Sequence, residues 1–164
     1  VNGKKTYVLV GVTIAATMLN GFLTGGNVDR SFVAMPAWQQ VGFATWATFS
    51  RHADLGTGQL LYPFMAFGGT LLTLLAAILV KTTGTQRWKR ILPFFLAAIC
   101  MVVSLPFSFK ATPFMLSLRH IDNQNTVVLQ QAFLGFEYWG RLQGFFHLVA
   151  FCCNLWSLIV IFSL

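Results

Sequence analysis

Long uninterrupted runs of apolar residues, rather than alternation of apolar with polar positions, dominate this chain of 164 residues. Four runs, at approximately residues 6–25, 60–80, 91–109 and 139–164, each reach the roughly 20 helical residues needed to cross a hydrocarbon core about 30 Å thick. They predict an all-α integral membrane protein: one four-transmembrane-helix bundle over 1–164, with no long water-soluble segment left over. The first run follows Lys4 and Lys5, is too long for a signal peptide and has no small-residue cleavage site, so it reads as a retained helix.

The segments between the runs carry their own pattern. SFVAMP at Ser31–Pro36 recurs as SFKATP at Ser108–Pro113, each copy following an odd-numbered span, which suggests two parallel helix-loop-helix repeats. Proline fixes φ and biases its predecessor away from the helix, so a break is expected at Pro36 and at Pro113. After the first, Trp38, Val41, Thr45, Trp46 and Phe49 recur at helical spacing, with Gln39 and Gln40 off that face. They predict a short outer interfacial helix at headgroup level. After the second, HIDNQN reads as a polar turn, and a helical run from Thr126 continues into the last span and projects beyond the bilayer. Arg87 with Trp88 offers an anchor at the opposite surface.

Composition confirms the solvent: 56% of residues are hydrophobic and 9% charged, against about 25% charged in soluble domains. The formal charge of +7 sits on residues flanking the spans, where orientation and lipid headgroups account for it and nucleic acid does not. Lys4, Lys5, Lys81, Arg87, Lys89 and Arg90 fall at one end; Arg30, Arg51, Lys110, Arg119 and Arg141 fall at the other, together with Asp29, Asp54, Asp122 and Glu137. The purely basic end predicts cytoplasmic termini, with the two long connections outside. Cys100, Cys152 and Cys153 lie inside spans and form no C-x-x-C pair, which argues against a thiol redox relay or a thiolate zinc site.

Candidate chemistry lies on the inward stripes. Thr13, Thr17, Asn20, Thr24 and Asn27 share one face of the first span, and Ser104, Ser108 and Thr112 share one beside Pro106, where a bend is expected. Glu137, Arg141, Gly144, His147 and Asn154 share a face of the fourth, with Glu137 and Arg141 spaced to pair. Hydrogen bonding and close contact between helices account for most such residues, the G-x-x-x-G pairs Gly21/Gly25 and Gly140/Gly144 included. His147 needs a partner if it is buried. His52, His120 and His147 with Asp29, Asp54 and Glu137 lack any H-x-x-x-H or H-E-x-x-H spacing, so neither metal nor cofactor is assigned.

The runs GFLTGGNVDRSFVAMPAWQQVG, WATFSRHADLGTGQLLYP, SFKATPFMLSL and YWGRLQGFFHLVAF resemble the small four-helix membrane proteins of the anthrone oxygenase-like family, over most of the chain. The likeness is to its bacterial members of unassigned function, which implies a bacterial cytoplasmic (inner) membrane. Family members tied to a reaction are implicated in oxygenating polycyclic anthrones without a classical cofactor. Such chemistry needs a base and an apolar pocket. Residue chemistry offers His147 or His52 as the base, Arg30 or Arg141 as the group stabilising an anion, and Trp38, Trp46 and Trp139 as an aromatic wall. Asn20, Asn27, Asp29 and Glu137 are the remaining candidates for ligand contact. Two readings stay open: a protein binding, and oxidising, an apolar or aromatic small molecule taken from membrane lipid, and a non-catalytic accessory subunit of a larger membrane protein complex or homo-oligomer.

Overall fold

The computed structural model describes residues 3–83 and 88–163. Helix α1 (Gly3–Asp29) passes through a π-helical turn, Arg30–Ala34, into α2 (Met35–Val41). Helix α3 (Phe43–His52) joins α4 (Gly58–Thr82) through Ala53–Thr57, where the backbone leaves the helix at Gly56 (φ −88°, ψ −115°) and the chain kinks, and α5 (Trp88–Ser117) and α6 (Thr126–Phe162) complete the chain. Among the described residues there is no strand. Four helical stretches are long and apolar enough to cross a membrane: Gly3–Val41, Phe43–Thr82, Trp88–Ser117 and Thr126–Phe162. The four apolar runs of the sequence lie within them apart from Ser163, one residue past the last helix, and Leu164, which falls outside the described residues, as does the anchor residue Arg87.

Helix α1 packs on α4 and α6, and α5 packs on α6 and α4, so neighbours around the bundle are antiparallel. The α5–α6 contact is the most extensive and the α4–α5 contact the loosest of the four. This order puts the termini and the α4–α5 connection at one end, here the terminal end. The α1–α4 and α5–α6 connections, and with them all four acidic residues, lie at the other, the connection end. At about 1.5 Å per residue, the 37 residues of α6 run roughly 55 Å, well beyond a hydrocarbon core of about 30 Å. The excess stands at the connection end.

Three apolar clusters follow one another along the bundle. Leu9, Ala76, Ala77, Val80, Phe94, Ala98 and Ile161 close the terminal end. Leu23, Met101 and Ala150 meet at mid-depth. Met35, Trp46, Ala47, Met115, Leu118, Leu129, Ala132 and Phe133 form a cap where α2 and α3 fold over the ends of α5 and α6.

Neither proline breaks its helix where the sequence pattern predicts. Pro36 sits in the first turn of α2, a position where a missing N–H costs little, and the π-helical turn before it carries the chain onward, the Met35 N–H donating to the Arg30 carbonyl. Helix α5 runs through Pro93, Pro106 and Pro113 to Ser117, its long contact with α6 outweighing the lost hydrogen bonds. The corner falls instead at Gly42, whose φ of 102° lies in the left-handed region that glycine enters freely. The single interfacial helix expected over Trp38–Phe49 is therefore two helices, α2 and α3, with the Trp38 and Phe49 rings 4.9 Å apart across the corner. The two halves also differ: the first returns through the helical excursion of α3, the second through a short turn at 118–125.

Candidate functional site

Between the mid-depth cluster and the cap the bundle does not close. A cavity of about 460 Å³ lies there, walled by α1, α4, α5 and α6 and roofed by two turns, the π-helical one at 30–34 and the kinked one at 53–57. Each turn brings one charge to the roof: Arg30 begins the first and Asp54 sits in the second, and their side chains form an ion pair. A π-helical insertion such as the first re-aims side chains and recurs at functional sites. Gly58 makes the second turn feasible, because a Cβ there would stand 2.9 Å from the Ala53 carbonyl oxygen and 2.8 Å from the Tyr62 ring.

Arg30 is held on three sides. Its guanidinium lies 5.2 Å from the Tyr62 ring centre and 5.3 Å from that of Phe136, and it donates to the Tyr62 hydroxyl at 3.4 Å. Such sandwiching suits a planar, weakly hydrated cation. Both of its hydrogen bonds to the protein use Nη2, which leaves the donors on Nε and Nη1 without a partner among the described residues. Asp54 is one-tenth exposed and bonds through Oδ1 alone. Below this pair the walls are largely apolar, from Leu23, Met65 and Ala66 to Leu105 and Met115, with Asn27, Gln59, Ser108, Thr112 and Gln143 as the polar exceptions. Phe67 of α4 and Phe109 of α5 line the cavity while leaving about half or more of their surface uncovered. The mouth thus lies along the loosest seam of the bundle.

His147 is fully buried just behind this wall. Asn27 Nδ2 donates to its Nδ1 at 2.9 Å, so the ring proton sits on Nε2, which donates to Ser104 Oγ at 3.0 Å. Ser104 passes its own proton to the Met101 carbonyl at 2.7 Å. The chain is complete with a neutral imidazole: His147 ties α1, α5 and α6 together and offers no free nitrogen to a ligand. Its partner Asn27 does reach the cavity.

The other sequence candidates scatter. His52 is exposed and bonds the Thr48 carbonyl of its own helix at 2.8 Å, away from His147. Asn20 is buried at the α1–α4 contact and donates to Thr73 Oγ1 at 3.1 Å, below the cavity. Trp46 is 2% exposed in the cap, edge-on to Phe133 at 5.0 Å, and Trp38 packs beside it. Trp139 faces Phe107, with the Lys110 ammonium 4.4 Å from its ring centre. None of these tryptophans lines the cavity. Asp29 is exposed. Glu137 and Arg141 pair at 2.6 Å, as their spacing predicts, beside a small separate hollow that also touches Arg30.

Among the described residues the mixed charges of the connection end form only these two ion pairs. Arg51 does something else: its guanidinium donates to the Leu118 and Ile121 carbonyls, both at 2.6 Å, and to Asn123 Oδ1 at 2.5 Å. It fastens the α5–α6 turn and satisfies carbonyls that the helix end leaves open. Tyr62, Phe136 and Gln143 were not singled out by sequence. Tyr62 and Phe136 sit amid other aromatics, and the partner that distinguishes them, Arg30, is remote in sequence. Among the described residues no three His, Cys, Asp or Glu side chains converge as metal ligands would.

Fold and cavity together define the class: a multi-pass helical membrane bundle with an apolar cavity under an ionic roof. No family model, no curated protein and no solved structure matches the chain, so nothing in those comparisons bears on the resemblance to the anthrone oxygenase-like family.

Proposed function

We propose that this protein binds an apolar small molecule bearing one polar edge, an aromatic ring system with a carbonyl or phenolic oxygen, taken laterally from the lipid into the cavity at the non-cytoplasmic end of the bundle. The carrying observation is the roof: Arg30 keeps donors unused, Asp54 keeps an acceptor oxygen unused, and both face a space whose walls are mostly apolar. Pockets of about 300–1,000 Å³ with a few convergent polar groups suit ligands of that size. The resemblance to anthrone oxygenase-like proteins points to the same ligand chemistry. If the bound molecule loses a proton, Asp54 is the base within reach and Arg30 the stabilising cation, in place of the histidines suggested by residue type alone.

Menadione, a small apolar quinone, supplies the test. Titrated into purified protein in detergent micelles, it is expected to quench tryptophan fluorescence saturably. Thr112→Phe, at an exposed position on the cavity wall, should fill the space and weaken binding at least tenfold without lowering the melting temperature. Arg30→Gln should weaken it less. Equal binding by wild type and Thr112→Phe would remove the cavity as the site.

A further inference from the structure

A second apolar hollow, of about 490 Å³, lies on the outside of the bundle between α4 and α5 at the terminal end. Its floor is made by two small buried residues, Ala77 and Ala98, and its walls by Ile78 and Ile99, which are 62% and 55% exposed. On α5 it runs from Phe95 to Val103, about 12 Å at the helical rise of 1.5 Å per residue. One end of this groove is closed by Lys81, whose ammonium stands 4.8 Å from the centre of the Phe95 ring.

Lys81 has no carboxylate to pair with. The chain contains four acidic residues, Asp29, Asp54, Asp122 and Glu137, and all four belong to the connection end. Both ion pairs among the described residues are there as well. Lys4, Lys5, Lys89 and Arg90 join Lys81 at the terminal end, so that end is cationic with no internal counter-charge. A cation at the head of an apolar groove is complementary to a molecule with a negative head and an apolar tail.

We propose that the α4–α5 groove is a binding site for an anionic phospholipid, one acyl chain lying over Ala77 and Ala98 and the phosphate meeting Lys81. The site is separate from the cavity under Arg30 and does not depend on any function assigned there. Juxtamembrane basic residues attract acidic lipids through the same physics. The groove adds what a bare surface charge lacks, a fixed seat for the chain.

Native mass spectrometry of the purified protein, incubated with equal amounts of dioleoylphosphatidylglycerol and dioleoylphosphatidylcholine in detergent, tests this. Wild type should retain the anionic lipid preferentially, and Lys81→Gln should cut that preference about fivefold, the order expected of one basic residue at a charged headgroup. Lys5→Gln, which removes a charge from the same end but away from the groove, should leave it unchanged. Ile99→Trp, at an exposed wall, should crowd the chain and lower retention of both lipids. Glycerophosphoglycerol, the headgroup without chains, and inorganic phosphate should fail to displace the bound lipid. Equal retention of the two lipids by wild type, an equal loss in Lys5→Gln and Lys81→Gln, or displacement by free headgroup or phosphate would each overturn the proposal.

Discussion

Towards the termini the four helices close on one another through alanines and a few large side chains, with Leu9, Val80 and Phe94 almost completely buried. Towards the connections the same helices part around a cavity, take in an ion pair and are sealed by a separate cap built on Trp46 and Phe133. The difference follows from the solvent on each side. Inside the hydrocarbon, lipid tails are as apolar as leucine, so helices gain little from hiding apolar surface and are held by close packing and hydrogen bonds. Threonines there bond the turn before them, Thr13 to the Leu9 carbonyl and Thr17 to the Thr13 carbonyl, both at 2.7 Å, and Asn20 reaches across to Thr73. Beyond the hydrocarbon, water restores the hydrophobic drive, and the cap can pay for the gap beneath it. Charges are tolerated at that level because they are partnered and near the surface.

Matched substitutions sharpen this contrast. Phe133→Ala in the cap and Phe94→Ala at the terminal end remove equally buried rings, 0% and 1% exposed. The cap variant should lose both transfer energy and packing, about 4 kcal/mol. The membrane variant should lose chiefly the packing, about 2 kcal/mol. Denaturant titration in micelles measures both, and equal losses would break the division into two solvents. Asn27→Ala withdraws the donor from His147 Nδ1 and should cost about 1 kcal/mol, the range of membrane helix hydrogen bonds. His147→Phe should cost no less, since it leaves Asn27 Nδ2 without its acceptor and Ser104 Oγ without the N–H it accepts. Smallest is Arg141→Ala: the pair with Glu137 is exposed on the arginine side and adjacent in one helix, so a loss under about 0.5 kcal/mol is expected in thermal melts.

The inward stripe on α1 was legible in the sequence because a helix repeats its faces every three to four residues: Thr13, Thr17, Asn20 and Thr24 are all buried. The pairing of Glu137 with Arg141 was legible for the same reason. The turn at Gly42 was masked by prolines, which are stronger punctuation in water than in a packed membrane helix. The site was legible in part. Of the residues singled out for ligand contact, Arg30 and Asn27 line the cavity, whereas Asp54 stood out only as one charge among several, and Tyr62 and Phe136 not at all. Residue type favoured His147 as a reactive group, whereas its two hydrogen bonds make it a tie between helices.

The sequence by itself determined that this protein is a four-span helical bundle with its acids gathered at one end, because hydrocarbon leaves a backbone few choices and hydropathy records them locally. Tertiary structure alone decided that Arg30 meets Asp54, that Arg30 also meets Tyr62 and Phe136, and that a cavity lies beneath them. Those contacts join positions up to about a hundred residues apart through a π-helical turn at 30–34 and a kink at Gly56, and no periodicity along the chain encodes how far either rotates the side chains that follow it.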